Sequence, residues 1–357
     1  MTSIIALVVV LGILIFFHEF GHFLMARLFG VGVERFSLGF GPRVTGFKRG
    51  ITDYRLSAIP LGGYVKMVGE EPGEEISEAD KPFAFTQKSV MRRFIIVAAG
   101  PVFNFLLAIM IFYGLFQFYG ESVMLPVIGE MTESSAAAKA GLKPGDRILA
   151  INDTVVDSWD QMAERIKKSE GKTLHLSIKR EGQIITLNVA PKVSQTKNLF
   201  GETVERYMLG IAPAVTAENI VHKDLSPPVA LGKSVSQTFE IIRLTVIGVG
   251  KMITGTVSVR ENVGGPIWIA QMAGEQARLG IASLMAFMAF ISISLAIINI
   301  LPIPVLDGGH LLFFTIEGIR GKPVSLKARE MAQQFGLFVL VFLMILVIYN
   351  DILRFFS

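Results

Sequence analysis

Cysteine is absent from this 357-residue chain. Disulfides, thiol catalysis and thiolate-held metals are thereby excluded, and any metal chemistry falls to His, Asp and Glu. Charge is scarce as well: Asp, Glu, Lys and Arg make up 18% of the residues, against roughly 25% in soluble domains. The net charge of +4 is small, and no basic run alternates with aromatics, so no nucleic-acid partner is expected. Internal repeats and low-complexity tracts are lacking too. The N-terminus has no basic leader region and no A-x-A cleavage site, and its apolar run outlasts a typical signal peptide, so it reads as a retained span. Apolar residues are what the chain does have, at 51%. The fold class expected is a polytopic α-helical membrane protein with room for about one soluble domain.

A span needs about 20 mostly apolar residues. Four windows qualify. The first lies within 1–30, and the others are 94–119, 282–310 (its apolar core ending near 303) and 335–353. A dense series of Lys and Arg runs from Arg27 to Arg93, and the short loop 317–331 adds Arg320, Lys322, Lys327 and Arg329. The positive-inside rule places both loops in the cytoplasm, and both termini and the region 120–281 outside. The acidic run at 70–80 counts little in that rule.

The loop 31–93 alternates apolar and polar residues between Gly/Pro turns (SLGFGP, ITDYRLSAIPLGGYVKM), which predicts membrane-associated β-hairpins. Such a hairpin is either a cytoplasmic cap or an edge that holds an unwound peptide. Residues 222–281 are apolar but carry Lys233, Glu240, Arg243 and Lys251. A charge at the bilayer centre costs about 2.5–3.5 kcal/mol on insertion scales. An amphipathic helix at the outer interface is therefore favoured over a fifth span.

Residues 122–214 read as a soluble α+β domain, with short strands (RILAIND, TLHLSIKRE, QIITLNVAP) and one helical stretch (SWDQMAERIKKSEG). AGLKPGDRI is a tight Gly/Pro turn entering a strand. The pattern resembles a PDZ domain. Its Tyr207-Met208-Leu209-Gly210-Ile211 stands at the back, where a PDZ carboxylate-binding loop would stand at the front, so it looks like the circularly permuted PDZ of bacterial proteases. The resemblance implies that Leu209, Gly210 and Ile211 form a peptide-binding loop.

The chemistry is concentrated in two motifs. His18-Glu19-Phe20-Gly21-His22 lies inside the first span, with no charge before Glu19. HExxH sets two imidazoles at i and i+4 on one helix face, where both can hold one zinc ion, and the Glu between them is the usual general base for an activated water. Catalytic zinc usually has three protein ligands. Asn299-Ile300-Leu301-Pro302-Ile303-Pro304-Val305-Leu306-Asp307-Gly308-Gly309-His310 closes the third span, and its prolines and glycines break the helix at membrane depth. Asp307 is the expected third ligand. His310 is the alternative, or else supports the cluster from the helix start.

These motifs resemble the site-2 protease family of intramembrane zinc metalloproteases, closest to the subgroup of the bacterial regulator of sigma-E protease. HEFGH matches HExxH, NILPIPVLDG matches NxxPxPxLDG, and Gly100-Pro101-Val102-Phe103-Asn104 matches GPxxN. The resemblance implies one catalytic zinc on His18, His22 and Asp307, with Glu19 as base. It implies that Asn299 and Asn104 orient the substrate or the motif loop, alongside Pro302, Pro304 and His310. Interhelical hydrogen bonding remains the other reading of the two asparagines. Implied partners are the bilayer and single-pass membrane proteins, of the anti-sigma-factor or remnant-signal-peptide kind, already cut on their outer side. A peptide C-terminus at the PDZ domain is a further one. The implied location is the bacterial inner membrane. The better-known relatives carry two PDZ domains, and this chain has space for one.

Overall fold

The computed structural model describes residues 2–70, 76–198, 200–258 and 264–356. Two compact units emerge: Met1–Leu115 with Pro228–Ser357, and Phe116–Pro227. Residues 71–75 of the acidic run at 70–80 lie outside the described residues, as does 259–263 within the expected interfacial segment.

The first unit is built on long apolar helices. Helix α1 covers Thr2–Leu28 and α2 covers Val90–Tyr119. After α5 (Pro227–Ile253) and α6 (Pro266–Leu279) come α7 (Ile281–Ile300), α8 (Asp307–Arg320) and α9 (Leu326–Phe356). Among the described residues α1, α2, α7 and α9 are long and apolar enough to cross a membrane. Helix α5 is not in that group, since Lys233, Glu240, Arg243 and Lys251 interrupt it.

Between α1 and α2, strands β1 (Val33–Arg49) and β2 (Thr52–Met67) pair antiparallel. Each bends and is used twice. The first half of β1 has the end of β2 on one side (Phe36 opposite Val65) and the start of β2 on the other (Phe36 opposite Tyr54). The second half of β1 then pairs with the start of β2, as in Phe47 opposite Tyr54. The end of β2 is therefore an outer edge. The bend in β1 is at Gly39, with φ +93°, where a Cβ would come within 2.8–2.9 Å of the Ile59 and Ser57 carbonyl oxygens. Val33, Phe36, Val65 and Met67 pack with Ala26, Ile96 and Phe314 into a buried core that fixes the sheet to α1 and α2.

Two sequence boundaries move. Residues 282–310 are not one span, because α7 stops at Ile300 and α8 starts anew at Asp307. Pro302 and Pro304 cannot donate to a helix, and the chain closes there through short turns (Ile303 amide to Leu301 oxygen, Leu306 amide to Ile303 oxygen). The loop expected at 317–331 shrinks to the stretch between Arg320 and Leu326, since α8 and α9 take its ends.

The second unit opens with strands β3 (Glu121–Met124) and β4 (Ile128–Met131) and helix α3 (Ala136–Lys139). Then come β5 (Arg147–Ile151), β6 (Thr154–Val155), α4 (Trp159–Lys168), β7 (Leu174–Arg180) and β8 (Gln183–Val189). It ends with β9 (Lys192–Lys197), β10 (Thr203–Met208), β11 (Ile211–Pro213) and β12 (Ile220–Lys223). A sheet of order β6-β5-β7-β8 is joined by the pairs β4–β11, β3–β12 and β9–β10. Leu174, Leu176 and Ile178 alternate inward on β7 and meet Ile148, Met162 and Leu142. Ser158 caps α4 by accepting from the Gln161 amide. Because β12 pairs with β3, the second unit runs past the expected boundary at residue 214. Leu209 is buried in its core, Gly210 has φ +76°, and the Leu209 and Gly210 carbonyls accept from the Ala137 and Thr132 amides.

Candidate metal centre

The i, i+4 spacing on α1 brings His18 and His22 together, with their Nε2 atoms 3.3 Å apart. Asp307, the first residue of α8, places Oδ2 3.1 Å from His18 Nε2 and 3.6 Å from His22 Nε2. The glycines after it make that approach feasible. A Cβ on Gly308 would overlap the Ile300 and Leu301 carbonyls, and one on Gly309 would overlap Pro304 and Ile303. The helix break thus folds tightly enough to aim the carboxylate back at α1.

These three atoms fit a zinc ion. Ligands held at 2.0–2.1 Å in a tetrahedron stand about 3.3 Å from one another. The observed separations of 3.1, 3.3 and 3.6 Å bracket that edge. Asp307 Oδ2 is buried and accepts no well-formed hydrogen bond, as suits an atom with a metal to face. The donor set of two imidazoles and one carboxylate leaves one tetrahedral position open.

Helix α2 backs the cluster. A Cβ on Gly100 would overlap the His22 imidazole and crowd that of His18, and a Cβ on Gly21 would overlap the Ala99 carbonyl. Both glycines are needed for the helices to approach. His22 Nδ1 lies 3.0 Å from the Ile96 oxygen, and Asn104 sits behind His18. Asn104 is fully buried there.

Glu19 follows His18 by one residue, about 100° around the helix. It faces the outer strand edge: the Val65 backbone hydrogen-bonds its carboxylate, and Gly63 packs on its stem. Two cavities meet there. One of about 390 Å³ is lined by His18, Glu19, His22, Tyr64, Asp307 and His310, and continues to Arg93 and Arg329. The other, of about 330 Å³, is lined by His18, Glu19, Phe40, Gly63, Asn299 and Asp307. Among the expected residues, His310 and Asn299 line these spaces and Pro304 lines a neighbouring one. Pro302 is exposed and lines none of them.

Sequence reasoning missed the wall of the first cavity. Arg93 on α2 makes two hydrogen bonds, of 2.7 and 3.2 Å, to the buried Glu317 of α8, and its guanidinium lies 5.0 Å from the Phe314 ring centre. Arg329 on α9 adds a contact at 3.6 Å. The available signal was Glu317 itself, an acid inside the apolar run LLFFTIEGI, which needs a cationic partner.

The chain is similar to known zinc metalloproteases. The model of peptidase family M50 matches residues 6–343. A relative in Agrobacterium fabrum, named as a zinc metalloprotease, is 38% identical over 98% of this chain and 95% of its own length. One in Rhizobium meliloti with the same description is 37% identical over 96% of this chain and 94% of its own. The zinc metalloprotease RasP of Geobacillus kaustophilus is 32% identical over 99% of this chain and 98% of its own.

Proposed function

Because the chain belongs to peptidase family M50, the site-2 type of zinc metalloprotease, we propose that it cleaves the transmembrane segments of single-pass membrane proteins at the His18–His22–Asp307 cluster. Its class is zinc metalloendopeptidase and its cofactor is zinc. The observation that carries the reading is a cluster of three potential metal ligands, two of them within an apolar span, with an acid beside it in a shared cavity.

His18, His22 and Asp307 hold the ion in this proposal. When bound, zinc supplies the Lewis acid that acidifies a water and polarises the scissile carbonyl. Glu19 takes the water's proton and later delivers it to the leaving amine. Its position between the cluster and the strand edge supports that role. Asn299 and His310 border the reacting space and orient the peptide, and Pro302 and Pro304 hold the loop that presents Asp307. A helical substrate hides its carbonyls in its own hydrogen bonds, so it must unwind. The outer edge at Gly63–Met67 offers it backbone partners beside Glu19.

The second unit is, in this reading, a circularly permuted PDZ domain. It gates access sterically, or binds a newly exposed C-terminus at the loop Leu209–Gly210–Ile211. Substrates are of the anti-sigma-factor or remnant-signal-peptide kind, cut first on the outer side. The protein sits in the bacterial inner membrane. The basic residues between Arg27 and Arg93 face the cytoplasm, the site lies toward that side, and the second unit and both termini face outward. Helix α5 lies at the outer interface.

The test is cleavage of a model single-pass substrate by purified protein. Wild type is expected to cut, to stop with a chelator, and to recover with zinc. Glu19→Gln is expected to bind zinc and lose about 10²- to 10⁴-fold in rate. Equal cleavage by Glu19→Gln would remove Glu19 from the mechanism.

A further inference from the structure

Ile96, Gly100 and Asn104 follow one another at i, i+4 and i+8, and so lie on one face of α2. All three meet the HEFGH imidazoles. The Ile96 carbonyl faces His22 Nδ1 at 3.0 Å, Gly100 gives the rings room, and the Asn104 amide faces His18 Nδ1 at 3.3 Å. Asn104 is fully buried, and its main-chain oxygen accepts from Ser292 Oγ of α7 at 2.8 Å, which fixes its place on the helix.

The nitrogens that converge on Asp307 are the two Nε2 atoms. A neutral imidazole that gives its Nε2 lone pair to a metal carries its proton on Nδ1. Each Nδ1–H then needs an acceptor. Ile96 supplies a carbonyl to His22. Asn104 has two ends, and its Oδ1 is buried without a partner while its Nδ2 points to His18. An NH₂ group cannot accept from an N–H. The two ends of an amide are interchangeable by a half-turn of the side chain, and which end points where is assigned from the hydrogen-bond network. His18 therefore selects the oxygen.

Resting on the zinc reading of the cluster, we infer that Asn104 accepts a hydrogen bond from His18 Nδ1–H through its side-chain oxygen, and so holds His18 in the tautomer that ligates zinc. Asn104 is a positioning residue. Together with the Ile96 carbonyl it makes α2 the template that orients both imidazoles from behind. Outer partners of this kind usually contribute 10- to 100-fold in metal affinity.

The experiment uses the full chain, purified in detergent, with zinc affinity read by competition with a chelator and the cobalt-loaded protein read by its visible absorption. Asn104→Leu, which offers no acceptor, is expected to bind zinc about 10- to 100-fold more weakly and to lose the tetrahedral cobalt bands. Asn104→Asp, which offers acceptors and no donor, is expected to keep wild-type affinity and spectrum. That rescue separates an acceptor from a packing residue or a donor. The inference is overturned if Asn104→Leu binds zinc as wild type does, or if Asn104→Asp loses as much affinity as His18→Ala, which removes the ligand itself. If Asn104→Leu does not fold, Asn104→Ala, which also offers no side-chain acceptor, takes its place. Failure of the wild type to bind zinc would instead sink the metal reading itself.

Discussion

Gly100 shows how a residue with no side chain can belong to the site. Its missing Cβ is the space that the His22 imidazole occupies, with His18 beside it. A methyl there must push either the rings or α2. Gly100→Ala is therefore expected to weaken zinc binding at least tenfold, in the range seen when ligand orientation is lost, while the four long helices still form. The measurement is zinc per protein after dialysis, with helicity from far-UV circular dichroism. Full zinc at wild-type affinity would mean that the helices can part without cost. The motif positions were legible as residues: His18, Glu19 and His22 by spacing, Asp307 by being an acid at a broken helix. The cause of the glycines was not, because a sequence does not say which neighbour fills the gap.

The elements obey their own local rules, and one of them carries a pH signature. Asp146, in the turn before β5, is buried, which by itself would raise its pKa. Hydrogen bonds from Arg180 of β7 and from the Lys143 amide outweigh that and hold the carboxyl below its ordinary range. A depressed folded-state pKa means stability that is present above the unfolded value, about 3.9, and lost as pH falls through the folded value. Asp146→Asn is expected to destabilise the second unit by about 1.5–3 kcal/mol at neutral pH, as for hydrogen bonds to a charged group. The gap from wild type should close in acid below that range. Proteolytic susceptibility of the region 121–223 against pH would show it, and a gap that persisted in acid would refute the ionic account. At this scale β7, β8 and α4 could be read from alternation and capping. The double use of β1 and β2 could not, because period-2 alternation fixes the faces of a strand and not its number of neighbours.

At the scale of the molecule, the second unit is inserted between α2 and α5 through adjacent ends. Glu121 of β3 stands opposite Lys223 of β12. A short Gly/Ser linker can therefore replace 121–223 without stretching the helices that follow. Under the gating proposal, that excision is expected to keep cleavage of a model span and to admit substrates whose outer domain is untrimmed. The check is a comparison of trimmed and untrimmed substrates with both proteins. Loss of all cleavage, with the helices intact and zinc bound, would refute a gate and make the unit part of the machinery.

Some properties were settled by the chain of residues alone. Absence of cysteine restricted the metal donors to His, Asp and Glu, apolar length required spans, and HExxH in such a span set two imidazoles on one helix face. These follow from local chemistry and from the cost of leaving backbone or charge unsatisfied in a bilayer. Only the tertiary structure decided the rest. Asp307 reaches α1 because α7 ends before it and two glycines let α8 start tightly against the α7 end. Asn104 stands behind His18, and Arg93 finds Glu317, because helices distant in sequence pack face to face. Such pairings depend on which surfaces fit, and fit is a property of shapes in space that no spacing along the chain contains.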